Sequence, residues 1–184
     1  AVNAVYEAMR RGEGPSPFGW LAHNYEFMFG DILSDDAAKG STPNDYLELK
    51  ELEEWRAKSN SGIAAASWTN QYVGIFRANG VIQNLPNSSI ETELKERLMG
   101  EARFLRGYFY FYLAKVFGGV PLFEQQVNPE DVQNRSVQRS TLDETFAFIE
   151  KDFEAAIEAL PEKSQYTDGN LGRATKGAAR AFLA

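Results

Sequence analysis

The chain has no cysteine and only one histidine, and these two absences restrict its chemistry. Without cysteine it has no disulfide, no thiolate nucleophile and no cysteine-ligated zinc or iron–sulfur site, although the redox compartment stays open. His23 has no companion ligands at a spacing that metal sites use, which favours a structural or surface role for it. No nucleophile stands in a recognisable motif with a base. We therefore predict no enzyme activity, no catalytic residue, no metal and no cofactor.

Long apolar runs and an excess of positive charge are also missing. The longest aromatic and aliphatic run, 104–117, contains Arg106 and Lys115 and is shorter than the roughly 20 residues that span a bilayer. Nineteen Lys and Arg residues against 26 Asp and Glu give a net charge of −7, which opposes binding to phosphate backbones. We predict neither a membrane-spanning segment nor a nucleic-acid partner. No signal-peptide pattern precedes Ala1, so we expect that such a segment was removed or not included.

Apolar residues that recur every three or four positions predict an all-α chain. A stripe starting at Val2 predicts a first helix, and Leu21, Tyr25, Met28 and Ile32 predict a second. Further helices are expected from Trp68 to Pro86, from Ser88 to Gly118, from Thr141 to Pro161 and from Arg173 onward. Ser88 with Glu91 and Thr141 with Glu144 have the spacing of capping boxes.

Successive helical hairpins with small residues at some contacts indicate an irregular tetratricopeptide-like bundle or α–α superhelix. The hairpins that start near Trp68 and Thr141 are separated by more than twice a regular repeat of about 34 residues, so insertions must separate the repeats. A length of 184 residues with 43% apolar content predicts one domain over residues 1–184. Because the last predicted helix ends without a cap, we expect that the natural protein continues.

Residues 34–61 form a polar stretch without sustained periodicity, although Tyr46–Arg56 has the composition of a short helix. Sugar recognition requires flat apolar faces for the ring and amide, carboxylate or guanidinium groups for its hydroxyls. The stretch contains both, and aromatics outside a periodic stripe are harder to explain as core. The candidate ligand-binding residues are therefore Tyr46 and Trp55 with Asn44, Asp45, Arg56 and Asn60.

Other chemically suggestive residues have ordinary structural explanations. Asp35 and Asp36 are typical of a turn after a helix, which we favour over a metal or acid–base pair. Gly118 and Gly119 follow a helix, whereas phosphate-binding loops precede one, so a helix C-terminus is the better account. Three further groups are predicted to pack or pair within the fold rather than bind a ligand: Arg97, Arg103 and Arg106; the aromatics at 108–112; and Trp68.

One segment carries a specific family resemblance. The run from Gly100 to Leu122, GEARFLRGYFYFYLAKVFGGVPL, resembles the signature helix of the SusD/RagB family. Four further segments stand around it in family order: GDILSDD at 30–36, WTNQYVGIFRANGVI at 68–82, DFEAA at 152–156 with Leu160–Pro161, and GRATKGAA at 172–179. The resemblance covers nearly the whole chain but only about the N-terminal third of a family member.

The resemblance implies a bacterial outer-membrane, cell-surface lipoprotein that binds oligosaccharides, such as starch-like nutrients, without catalysis. Its implied partner is a SusC-like TonB-dependent transporter, and its only implied membrane attachment is a lipid anchor that this sequence does not contain. Two alternatives stay open. The chain could be a helical-repeat scaffold that contacts the transporter and has no ligand site of its own. An all-helical glycosidase would instead require two carboxylates facing each other across a cleft.

Overall fold

A computed structural model describes residues 1–10, 27–40, 42–127, 130 and 137–184. Several predictions lie outside these residues: His23, the first half of the second helix with Leu21 and Tyr25, the break at 12–17, and most of the polar loop at 128–136.

The described residues form α-helices and short helical turns, without a strand, and this confirms the all-α prediction. Their bounds are α1 Val2–Arg10, α2 Leu47–Glu53, α3 Gly62–Asn84, α4 Thr92–Phe117, α5 Leu142–Ala159 and α6 Lys176–Leu183. A π-helical turn occupies Phe27–Asp31, and short 3₁₀ turns occupy Leu85–Asn87, Lys163–Gln165 and Asp168–Asn170. The second predicted helix thus has a π-helical turn where an α-helix was expected, although Met28 and Ile32 are buried as predicted.

The chain divides into two compact units, with boundaries inside α1 and inside α3. The first unit contains Ala1–Tyr6 and Gly74–Ala184, and the second contains Glu7–Val73. The single domain over residues 1–184 stays a prediction.

The first unit is built on antiparallel helical hairpins, which agrees with the tetratricopeptide-like prediction. Gly107 of α4 lies against the ring of Phe153, while Gly100, two turns earlier, lies against Leu160. Along this contact the residue numbers rise on α4 while they fall on α5, so the two helices are antiparallel. Helix α6 packs on α5. Phe182 of α6 places its ring 5.5 Å from that of Phe153, so the three helices share one apolar layer.

The arginines of α4 pair inside the first unit, as predicted. Arg106 is 5% exposed and donates from Nε and Nη2 to both carboxylate oxygens of Asp152, at 2.6 and 2.7 Å. Its Nη1 also donates to Asn79 Oδ1 at 2.7 Å. Arg97 pairs with the buried Glu101 at 3.2 Å, and Arg103 reaches Asp152 at 3.2 Å. These arginines compensate buried carboxylates, which removes any need to assign them to an anionic ligand.

The helix ends follow local sequence in two cases and depart from it in one. Thr141 and Glu144 form the predicted reciprocal capping box, and α4 ends at Phe117 with Gly118 as its C-cap, whose φ of +75° suits glycine. The predicted box at Ser88 is wrong: α4 begins at Thr92 after Glu91, without a side-chain cap. The Ser88 hydroxyl instead donates to the carbonyl of Leu85 at 2.7 Å, because a 3₁₀ turn presents that oxygen beside it.

The second unit has a small apolar core of its own. Met28 and Ile32 from the first turn pack with Leu49 and Leu52 of α2 and with Ile63 of α3. Each of these five side chains is at most 6% exposed. The polar stretch at 34–61 is therefore anchored at its middle, because α2 places two leucines in this core.

Candidate functional site

Helix α2 is the element that positions the predicted ligand-binding residues. Leu49 and Leu52 stand three apart and face the core, so the opposite side of this short helix faces solvent. Seven residues are too few for an isolated helix to be stable, and α2 therefore depends on this packing. Removing it from the core would release the residues at both of its ends.

Glu48 ties α2 to the beginning of α3. Its Oε2 accepts a hydrogen bond from the Ser61 hydroxyl at 2.9 Å and another from the backbone N–H of Ile63 at 3.0 Å. The first N–H groups of a helix lack partners within the helix, and a carboxylate there also complements the helix dipole. A residue of α2 thus supplies the cap that α3 needs, and the segment between them is closed into a loop.

Tyr46 and Trp55 flank α2 and share an unusual backbone conformation. They are the described non-glycine residues with positive φ, at 43° and 57° respectively. Left-handed backbone costs an L-residue roughly 1–2 kcal/mol, and aromatic side chains gain nothing from it locally. Strain of this kind is found preferentially at sites of function. The two aromatics that the sequence singled out therefore occupy the positions where glycine or asparagine would be the easier choice.

Trp55 occupies the residue after the C-cap of α2, where helices commonly carry glycine. Its N–H donates to the carbonyl of Leu52 at 3.0 Å, and the N–H of Arg56 donates to the carbonyl of Glu51 at 2.7 Å. These two bonds form a Schellman motif, which requires a left-handed residue at this position. Trp55 is nevertheless 77% exposed, so its indole ring is presented to solvent rather than buried.

Tyr46 is the N-terminal counterpart, 41% exposed at the N-cap of α2. A rise of about 1.5 Å per residue places the backbones of Tyr46 and Trp55 about 13 Å apart along the helix. Asn44 and Asp45 lie beside Tyr46, and Arg56 and Asn60 follow Trp55. The six predicted residues therefore form two groups, one at each end of α2.

Three of the four polar candidates are exposed, and two of the four already have partners. Asp45 accepts from Lys39 Nζ at 2.5 Å, and Arg56 donates to Glu54. The hydrogen bond from Arg56 is the main cause that lowers the pKa of Glu54, and the same bond raises the pKa of the Arg56 guanidinium. Both groups therefore stay charged. Asn44 and Asn60 are exposed and offer amide donors and acceptors to solvent.

The part of the chain that the structure describes contains neither a metal-binding cluster nor a membrane-spanning helix. It contains no group of three or more His, Asp or Glu side chains with the geometry to hold a metal ion. Asp35 and Asp36 are exposed in a turn, where the N–H of Asp36 donates to the Ser34 hydroxyl at 3.1 Å. None of the helices in the described ranges has the length and apolarity to cross a bilayer.

The first unit contains a cleft with a volume of about 480 Å³. Its polar groups largely serve the fold: Arg97 donates to Glu101 and, at 3.1 Å, to Asn170 Oδ1. Tyr166 donates its hydroxyl to the carbonyl of Ala174 at 2.9 Å. The remaining lining includes Glu91, Glu93, Glu96, Leu94, Leu160 and Lys176. An exposed aromatic comparable to Trp55 is not among the lining residues.

Two residues of the α2 region escaped the sequence analysis. Glu48 was missed because its partners lie 13 and 15 positions away, beyond any helical spacing. Leu47, 57% exposed beside Tyr46, was missed because an apolar residue in a short helix is ordinarily assigned to the core. The alternation of buried Leu49 and Leu52 with charged neighbours was the available signal that Leu47 faces outward.

Fold and site together define an all-helical protein with exposed aromatic side chains at the two ends of a short helix that packs into the core. The sequence profile of a SusD-like family, described as starch-binding and associating with outer membrane, matches residues 21–184. A SusD-like protein of Bacteroides ovatus is 31% identical over 123 residues, which cover 65% of this chain and 21% of that protein. The chain belongs to the SusD-like family.

Solved structures agree with this assignment. A laminarin-binding SusD-like protein superposes with a TM-score of 0.82 at 27% identity, covering 99% of this chain and 37% of that one. A SusD-like carbohydrate-binding protein from Bacteroides fragilis gives a TM-score of 0.79 at 30% identity, covering 98% of this chain and 35% of that one. The chain thus spans about a fifth of the B. ovatus relative and over a third of each of these structures.

Proposed function

We propose that the chain is part of a non-catalytic, cell-surface glycan-binding protein and that the ends of α2 contribute to its ligand site. The observation that carries the proposal is Trp55, which is 77% exposed and has a backbone conformation that disfavours its side chain. A large apolar ring in a strained, solvent-facing position lowers the stability of the fold. A role in ligand binding accounts for its presence there. The names of the laminarin-binding and carbohydrate-binding relatives support the same ligand class.

The chemistry of the α2 ends suits a sugar chain. An indole face packs on the C–H face of a pyranose ring, and burial of about 100 Å² of apolar surface is worth about 2.5 kcal/mol. Hydroxyl groups require both donors and acceptors, which Arg56, Asp45 and the two asparagines, Asn44 and Asn60, supply. None of these groups needs to change protonation or form a covalent bond, so the site is built for binding.

For the whole protein we propose attachment to the outer membrane by a lipid anchor and cooperation with a SusC-like TonB-dependent transporter. The outer-membrane association in the family description supports this location. In this arrangement the protein captures oligosaccharides at the cell surface and passes them to the transporter.

Affinity electrophoresis of the intact natural protein through gels with embedded glycans tests the proposal. Trp55→Ala should lower the affinity of the protein for the embedded glycan at least about tenfold. The substitution removes the stacking surface, while the backbone hydrogen bonds of the Schellman motif remain. Phe76→Ala is the matched control, since Phe76 is an exposed aromatic, 37%, that belongs to the first unit. Equal binding by wild type and Trp55→Ala would refute a role for α2. Absence of any glycan binding would refute the proposed function itself.

A scaffold function is the second candidate, and exposed Leu47 is the observation that favours it. Leu47 exposes apolar surface beside Tyr46 at the N-terminal end of α2, and an exposed apolar surface is also typical of a protein-docking patch. Leu47→Ser separates the two functions. Docking to the transporter predicts weaker co-purification with the barrel, whereas glycan stacking predicts that affinity for sugars stays within about twofold of wild type.

A further inference from the structure

The cationic side chains near α2 are engaged in ion pairs. In the described residues 27–40 and 42–73 there are four of them, and each has a carboxylate partner. The pairs are Lys39–Asp45 at 2.5 Å, Lys50–Glu54 at 3.9 Å, Lys58–Glu51 at 2.6 Å, and Arg56–Glu54.

The same segment carries a surplus of negative charge. Its carboxylates number eight, twice the number of cationic groups, so this stretch, which includes α2, is net negative. Asp31, Asp35 and Asp36 are exposed members of this surplus and have no ion pair among the described residues. The surplus parallels the net charge of −7 for the chain as a whole.

We propose that the α2 surface selects uncharged oligosaccharides and rejects sugar chains that carry uronate or sulfate groups. This inference rests on the proposed function and adds to it the class of glycan. It follows from the paired cations and from the excess of carboxylates in the described residues of 27–73.

An anionic sugar gains nothing from the cations of this surface. Arg56 lies against Glu54 and Lys58 against Glu51, so the positive charge of each is already balanced by a carboxylate. An anionic group placed on either cation also meets the carboxylate that is paired with it. Exposed pairs are individually weak, so the cations bring no net attraction, while repulsion from the surplus carboxylates remains.

An uncharged sugar meets no such obstacle. The guanidinium group has five N–H donors, and Glu54 occupies only part of them, so Arg56 can still donate to a hydroxyl. The paired carboxylates likewise retain lone pairs that accept from hydroxyl groups. The ion pairs therefore act as polar contacts for a neutral ligand and as a barrier to a charged one.

Isothermal titration calorimetry on the intact natural protein tests the inference with two kinds of probe. The neutral probes are maltohexaose, laminarihexaose and a xyloglucan oligosaccharide, and the anionic probe is hexagalacturonate. The measured quantity is the ratio of the affinity for hexagalacturonate to that for the best neutral probe. At low salt the wild-type ratio should be below about one tenth, since like-charge juxtaposition is strongly unfavourable.

Two substitutions on α2 and its C-cap separate pairing from net charge. Glu54→Gln removes a negative charge and releases both Arg56 and Lys50, so the ratio should rise at least about fivefold. Glu53→Gln removes the same charge but releases no cation, because Glu53 has no ion-pair partner among the described residues. Its ratio should stay within about twofold of wild type.

The outcomes distinguish this inference from the function on which it rests. Hexagalacturonate bound as tightly as a neutral probe, with loss of both in Trp55→Ala, would overturn charge selection and leave glycan binding by α2 intact. Equal ratios in Glu53→Gln and Glu54→Gln would overturn the part assigned to ion pairing. Absence of binding to every probe would overturn the proposed function and this inference with it.

Discussion

Replacement of Trp55 by glycine should stabilise the fold relative to alanine while binding is lost in both variants. The two substitutions remove the same indole ring, which is 77% exposed and contributes little burial. They differ in how well the new residue tolerates a φ of 57°. The difference in the free energy of unfolding between the two variants therefore measures the cost of the left-handed backbone conformation at residue 55.

The expected difference follows from two opposing effects. Alanine retains the left-handed penalty of roughly 1–2 kcal/mol, which glycine does not have. Glycine in turn loses about 0.5–1 kcal/mol more conformational entropy on folding than alanine. The net advantage of Trp55→Gly over Trp55→Ala is then about 0.5–1 kcal/mol, or a difference in Tm of about 1–4 °C.

Urea denaturation and amide hydrogen exchange would measure the effect. Denaturation compares the free energies of unfolding, and exchange of the amides of 47–56 reports any local opening of α2 that occurs without global unfolding. The Schellman hydrogen bonds from residues 55 and 56 should be more protected in the glycine variant than in the alanine variant. Calorimetry with the best neutral oligosaccharide supplies the binding measurement.

Equal stability of the two variants would refute the reasoning, since it would mean that residue 55 is not held in a left-handed conformation. Retained binding by Trp55→Gly would refute the functional half. If Trp55→Gly is more stable than Trp55→Ala and neither variant binds the oligosaccharide, then Trp55 is needed for binding at a position where glycine would favour the fold.

Two further predictions concern the first unit. Arg106→Leu should destabilise the protein by about 3–5 kcal/mol in urea denaturation, because it leaves Asp152 buried without its main partner. Gly74→Ala should cost about 1–3 kcal/mol, since a Cβ there would lie 2.6 Å from Cδ2 of Phe109. Gly177→Ala, with no neighbour closer than 3.9 Å in α6, should instead be neutral or stabilising by up to about 1 kcal/mol.

Each of these two predictions has a control. The double variant Arg106→Leu with Asp152→Leu should recover much of the lost stability, because no unpaired charge remains buried, although Arg103 then loses a partner. A double variant as unstable as Arg106→Leu would contradict the assigned cause. For the glycine pair, a loss of stability in Gly177→Ala equal to that in Gly74→Ala would show that contact with Phe109 is not responsible.

The sequence alone determined the helical class, most helix positions and the family. Residues three and four apart lie on one face of a helix, so the stripes of α3, α4 and α5 could be recognised without tertiary information. The start of α5 and the end of α4 also depended on local sequence: Thr141 and Glu144 interact across three positions, and Gly118 itself supplies the positive φ. The candidate aromatics Tyr46 and Trp55 were found because no stripe accounted for them.

Ser88 shows where local pattern was insufficient. Its spacing to Glu91 matches a capping box, yet the preceding 3₁₀ turn engages its hydroxyl through the carbonyl of Leu85. Lys95 Nζ donates to the carbonyl of Ser88 at 2.8 Å as well, which fixes an extended entry into α4. The choice between two local hydrogen bonds depended on the path of the chain before the helix.

Only tertiary structure decided which charges are paired and how the aromatics are presented. Asp152 meets Arg106 across 46 residues, and Glu48 caps α3 from 15 residues away, distances at which sequence spacing carries no information. The left-handed conformations of Tyr46 and Trp55 could likewise not be predicted from the residue types, since neither favours them. The burial of Leu49 and Leu52 holds α2 in the core and offsets the cost of these conformations at its ends.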